Sequence, residues 1–173
     1  MTFVSKQRTL CALGVFVFAF SAAAQAQTIE RDIPWRSFQD WNVFQSSVYK
    51  GCVATASYQN GTTVRLGFDG IIKGYFVNFS NHKWSDYEMM KNIELEFVLD
   101  GSRSFRGYFH TIQRDRMATF ETGGIKMAFL DGLAAANSFR IREGRTQLAA
   151  LSLSGSRRAL NSMMECERAR NGQ

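Results

Sequence analysis

Cys52, Ala54, Ala56 and Tyr58 alternate with Val53, Thr55 and Ser57, the period of two that belongs to a pleated strand. The same period recurs along most of the chain. Trp41 to Gln45 reads as a first strand, and Pro34 to Asp40 as a lead-in segment with Trp35 and Phe38 as aromatic cover. Asn60-Gly61 follows the Cys52 strand and predicts a tight hairpin turn with positive φ at both positions. Val64, Leu66 and Phe68 share one face of the return strand. Asp69-Gly70 marks the next turn, after which Tyr75, Val77 and Phe79 alternate with Phe76, Asn78 and Ser80. Asn81 to Met90 has no period and reads as a loop with at most one helical turn. The sharpest alternation runs from Ile93 to Leu99, with Glu94 and Glu96 on the face opposite Ile93, Leu95, Phe97 and Leu99. Asp100-Gly101 turns the chain into a strand that points Phe105, Gly107 and Phe109 one way and Arg106, Tyr108 and His110 the other. Arg116 to Glu121 reads as one more short strand.

The period changes at Gly124. Ile125, Ala128, Phe129, Gly132, Leu133 and Ala136 recur at three and four, which predicts a short amphipathic helix ended by Asn137. Phe139 and Ile141 open another strand, Glu143-Gly144 turns it, and Leu148 to Leu153 returns. Past Gly155 a closing helix sets Leu160, Met163 and Met164 on one side. Arg157, Arg158, Glu165, Arg168 and Arg170 take its wet side, and Ser154 or Ser156 is expected to cap its start. The prediction is a mainly β domain, an antiparallel sandwich or barrel with a short helix and a C-terminal helix at one edge or face. No repeat or linker divides it.

The N-terminus carries a different pattern. Lys6 and Arg8 precede an apolar run from Leu10 to Phe20, and Ala24-Gln25-Ala26 offers small residues at the positions a signal peptidase reads. The run is shorter than the ~20 residues of a membrane span. Met1 to Ala26 is therefore read as a cleaved bacterial leader, with residues 27–173 as one mature domain in a periplasm or outside the cell and no transmembrane segment. Of the three cysteines, Cys11 departs with the leader. Cys52 and Cys166 remain as a pair in an oxidising compartment, which predicts one disulfide. The loop it closes exceeds a hundred residues, worth about 4–5 kcal/mol in the chain-entropy model.

With 45% hydrophobic residues, 15 Phe and a single Pro, the chain has the material for a core and lacks the composition of a disordered protein. The net charge of +6 is dispersed and partly borne by the leader, so no nucleic-acid partner is expected. Candidate chemistry is thin. Glu94 and Glu96 face His110 and Tyr108 on neighbouring strands, an arrangement open to acid–base work but also to plain cross-strand pairing, the favoured reading. No C-x-x-C occurs, His82 and His110 are not at ligand spacing, and neither metal nor cofactor is expected. Gly123-Gly124-Ile125-Lys126 lacks the spacing and the hydroxyl residue of a phosphate loop. An aromatic-rich stretch holding Phe76, His82, Trp84 and Tyr87 would form a protein-binding surface if its rings stay outside the core.

Trp41-Asn42-Val43, Cys52-Val53-Ala54, Phe139-Arg140-Ile141 and the closing Leu151-Ser152-Leu153-Ser154-Gly155-Ser156 with Ala159-Leu160 resemble the invasion-associated locus B family. Its members are small exported alphaproteobacterial proteins with a β-sandwich-like fold. The resemblance spans the opening strands and the last third of the chain. The family's additional central cysteines are absent here, and Gly74 to Trp84 has no counterpart. The resemblance implies an exported, non-catalytic domain with a role in the cell envelope or in host interaction, whose partner is another protein; no functional residue carries over. An inhibitor or immunity protein against a cell-wall-active enzyme, plugging it with the His82–Tyr87 loop, is one alternative. A small periplasmic hydrolase using Glu94, Glu96 or His110 is the other.

Overall fold

The computed structural model describes residues 32–114 and 116–172; the leader read at Met1 to Ala26 lies outside them. The strands are β1 (Ile33–Phe38), β2 (Trp41–Ser46), β3 (Gly51–Ser57), β4 (Thr63–Asp69), β5 (Gly74–Asn81), β6 (Asn92–Leu99), β7 (Arg103–Arg114), β8 (Met117–Gly123), β9 (Ser138–Glu143) and β10 (Thr146–Ser152). Helix α1 (Met127–Ala135) joins β8 to β9, and α2 (Ser156–Arg170) closes the chain. The strands form one ten-stranded antiparallel sheet in the order β1-β2-β3-β4-β5-β8-β7-β6-β9-β10. Its end strands β1 and β10 do not pair, so the sheet stays open.

The sheet curls over its own core. β5 and β6 stand three places apart in the order, roughly 14 Å if the sheet were flat. Phe79 of β5 and Phe97 of β6 nevertheless stack with ring centroids 5.1 Å apart, and Phe79 also meets Phe139 of β9 at 5.7 Å. Phe109 and Phe129 join this aromatic centre. The two halves of the sheet thus face each other, as in a sandwich. The curl also brings Tyr58, just past β3, to the far edge, where its hydroxyl donates to the Ser152 carbonyl of β10 at 2.7 Å.

Helix α2 lies against β1, β2 and β3 and buries Ala159, Leu160, Met163 and Cys166. The Cys52–Cys166 disulfide joins it to β3, with Cα atoms 6.0 Å apart at a sequence separation of 114. Neither serine caps this helix. Gly155 occupies the cap position at φ 85°, and no side chain bonds to the first turn. Ser156 instead donates to the Leu133 carbonyl at the end of α1, and Ser154 to the Gln39 amide oxygen. A side chain at 155 would put its Cβ 2.7 Å from that Gln39 oxygen, so the sharp entry into α2 rests on glycine.

Three further expectations are revised. Residues 33–38 form an edge strand, not a lead-in; with β2 as its single neighbour and both faces largely wet, β1 shows no alternation, and its Pro34 is tolerated at an edge. The Asn60-Gly61 turn is part of a longer loop, closed by Tyr58 N–H donating to the Thr62 carbonyl at 2.9 Å, and of the two residues Gly61 takes positive φ. Phe68 is half-buried beside Tyr75 and does not join Val64 and Leu66 in the core.

Candidate functional site

Strand β5 is covered on both faces. Its inward side carries Val77 and Phe79, while on the outer side the β2–β3 turn folds Tyr49 onto Phe76, with ring centroids 4.0 Å apart. Asn78 donates to the Tyr49 hydroxyl at 2.6 Å and to the Glu121 carboxylate at 2.9 Å, and Arg114 pairs with the same carboxylate at 3.0 Å. Burial above all raises the Tyr49 phenol above its ordinary pKa. Phe76 is therefore interior, not a surface ring. The reason is nonlocal: the ring that covers it comes from another turn.

The loop after β5 is pinned in the same way. Asn81 accepts from the Lys83 N–H at 2.8 Å and starts a single helical turn, His82–Trp84. That turn drops Trp84 onto Phe120, stacked at 4.7 Å and 5% exposed. Tyr87 meets the same ring edge-on at 4.9 Å and donates its hydroxyl to Glu143 at 2.5 Å. Burial, then that bond to the Glu143 carboxylate, pushes the Tyr87 phenol well up. Of the proposed partner-binding quartet, His82 alone is exposed, Phe76 and Trp84 belong to the interior, and Tyr87 is half-buried. The loop offers polar groups (His82, Lys83, Ser85, Asp86) and no aromatic plug.

Glu94, Glu96 and His110 do share one face, as alternation required. Their opposite numbers are Tyr108, Arg106 and Asn92 respectively. Glu96 is committed to Arg106 at 3.3 Å and, more loosely, to Arg142 of β9 at 4.0 Å. His110 lies diagonally from Glu94, a spacing of roughly 7–8 Å, and also stands opposite Glu121, whose carboxylate is occupied by Asn78 and Arg114. No carboxylate–imidazole bond forms among them, and none of the three lines the concavity between β7, β8 and α1. Among the described residues, no group of three or more His, Cys, Asp and Glu side chains is placed to hold a metal ion.

A concavity of about 350 Å³ opens elsewhere, where the sheet divides. β8 pairs with β5 as far as Gly123, opposite Phe76, but with β7 only as far as Glu121, opposite His110. Beyond that point β7 continues with β6 alone, and the two strands part. The gap is lined by Val77, Phe97, Phe105, Phe109 and, from α1, Ala128 and Phe129. Gly107 lies between Phe105 and Phe109 on the inward side of β7, and a Cβ built there meets one atom, Phe109 Cε2 at 3.5 Å. The missing side chain leaves the space. Gly123 to Lys126 forms the rim, together with Arg106. No carboxylate, imidazole or thiol lines the cavity, and its one hydroxyl belongs to Thr122. The arrangement can enclose an apolar group; of the groups that commonly serve as base or nucleophile it offers the Thr122 hydroxyl and the Lys126 amine alone.

Sequence reasoning placed Gly107 within an aromatic row and set aside Gly123 to Lys126 as a poor phosphate loop. The available signal was a glycine where the alternation called for a large apolar side chain.

No protein-family model and no curated protein matches the chain. The fold is similar to the crystal structure of invasion associated protein B from Bartonella henselae, with a TM-score of 0.57 and 10% identity over 75% of this chain and 95% of that one. At that identity the likeness is one of fold, and it is the fold that the strand and closing-helix residues led one to expect.

Proposed function

We propose that the chain is an exported, non-enzymatic binding protein of the bacterial cell envelope. The observation that carries this reading is the character of the cavity. It is concave and largely apolar, and no carboxylate, imidazole or thiol lines it to activate water or a nucleophile. The titratable residues best suited to catalysis are spread over an outer sheet face, where Glu96 serves an ion pair. Export is supported by the leader pattern of Met1 to Ala26 and by a disulfide, which persists in oxidising compartments. Among the described residues no helix is long and apolar enough to cross a membrane. The fold likeness to an invasion associated protein is in keeping with an envelope or host-facing role.

The test uses the mature, disulfide-bonded chain. Incubation with peptidoglycan fragments and with simple ester and glycoside substrates is expected to give no turnover. Fractionation of cells expressing the full chain is expected to recover it, shortened by the leader, outside the cytosol. Turnover that disappears in Glu94→Gln, Glu96→Gln or His110→Ala would overturn the reading in favour of a hydrolase.

A further inference from the structure

We infer that the cavity between β7, β8 and α1 is a binding site for a single-chain anionic amphiphile, an acyl chain ending in a carboxylate. The inference rests on the reading of the chain as a binding protein and names its ligand.

The interior fits an acyl chain. Phe97, Phe105, Phe109 and Phe129 supply ring faces and edges with few polar atoms, and about 350 Å³ lies at the lower end of small-molecule sites. A nucleotide or sugar would leave its own polar groups unpaired against these rings, at a cost that excludes it. The mouth fits an anion. Lys126 stands at the rim, exposed, with no ion-pair partner among the described residues. Arg106, the other rim cation, is held by Glu96, which leaves Lys126 as the charge available to a head group. No carboxylate lines the cavity to repel one. The first turn of α1 begins at the same rim with no side-chain cap and no acidic residue, so its dipole adds to the attraction.

The approach to the mouth is itself apolar. Ile72, 59% exposed, lies over Gly123, where a built Cβ would meet its Cδ1 at 3.1 Å, and Met127, 42% exposed, adjoins Lys126. A chain entering past Ile72 and Met127 would leave its carboxylate beside Lys126. This assigns a role to Gly107 that packing alone does not: a Cβ there would meet Phe109 alone, at an ordinary 3.5 Å, so close packing does not require glycine.

The probe is laurate, titrated calorimetrically into the mature disulfide-bonded chain after delipidation on a hydrophobic resin, with lauryl alcohol as the uncharged comparison. Saturable binding of one laurate is expected, tighter than that of the alcohol. Gly107→Leu is expected to abolish binding of both. Lys126→Glu is expected to weaken laurate on the order of tenfold and to leave the alcohol unchanged. Absence of laurate binding, or equal binding by Gly107→Leu, overturns the site. Equal affinity for laurate and alcohol in the unsubstituted chain overturns the anionic head group. Should Gly107→Leu fail to fold, nuclear Overhauser contacts from laurate to Phe105 and Phe129 in the unsubstituted chain are expected in its place, and contacts to other residues instead sink the site. Loss of laurate binding without any turnover leaves the binding-protein reading standing. Cleavage of a lauroyl ester in the same preparation overturns that reading independently.

Discussion

The Glu167 carboxylate accepts the backbone N–H of Cys52 at 3.0 Å, one residue along α2 from the cysteine that is bonded to Cys52 itself. Helix and strand are thus joined twice at one point, once covalently and once by a charge-assisted hydrogen bond. Glu167 is 8% exposed, and Arg170 at 2.5 Å and Asn171 at 3.0 Å occupy its other oxygen. Burial works against its charge, but the Arg170 bond, the Cys52 N–H and the Asn171 amide outweigh burial and hold the carboxyl below its ordinary pKa.

The pH dependence of stability follows from that depression. A carboxyl that is more acidic folded than unfolded stabilises fully above its unfolded pKa, ~4.3, and loses its contribution as pH falls through the lower folded value. Glu167→Gln is expected to cost about 1–2 kcal/mol at neutral pH. The urea midpoints of the two proteins should converge on acidification below about pH 4. Parallel curves across that range would show that the carboxylate is not the linked group.

The disulfide closes a long loop, at a sequence separation of 114, between two cysteines that are fully buried. Replacing both by Ala is expected to lower unfolding free energy by about 4–5 kcal/mol in the chain-entropy model, measured by urea denaturation. Mass spectrometry of exported protein should find the pair oxidised; free thiols there would remove the support that this bond lends to export.

Gly155 supplies the left-handed residue that aims α2 across the sheet. Gly155→Ala is expected to destabilise by about 1–2 kcal/mol from backbone strain alone, and by more if Gln39 must move. Ser154→Ala, at an exposed position that removes no cap, should cost less than a cap deletion of about 1 kcal/mol, whereas Ser156→Ala, which strips a buried hydrogen bond from the Leu133 carbonyl, is expected to cost about 1–3 kcal/mol. Thermal melts of the three variants distinguish these cases.

Trp84 and His82 are two residues apart and differ in everything that matters to stability. Trp84→Ala removes a ring stacked on Phe120 and is expected to cost about 3–5 kcal/mol. His82→Ala, at an exposed position, should stay within about 0.5 kcal/mol of the parent. Comparable effects from the two would contradict the pinned loop.

Strand positions, turns and the closing helix follow from local pattern, because the pleat and the helical repeat impose their periods on any segment that buries one face. Ile93 to Leu99 and the row Phe105, Gly107, Phe109 lie in β6 and β7 as their alternation demanded. The Cys52–Cys166 bond was legible too, since two cysteines remain if Met1 to Ala26 is the cleaved leader its pattern predicts. β1 escaped notice because an edge strand with two wet faces has no apolar period to display. Which strand neighbours which is not local information: β5 pairs with β8 rather than β6, and nothing in either strand's own composition says so. That pairing brings Phe120 under Trp84 and carries the end of β8 away from β7 beyond Glu121, where the cavity opens, while Phe76 is covered by Tyr49 from the β2–β3 turn. Burial of a ring and the shape of a gap depend on what arrives from distant parts of the chain, and only the assembled molecule decides them.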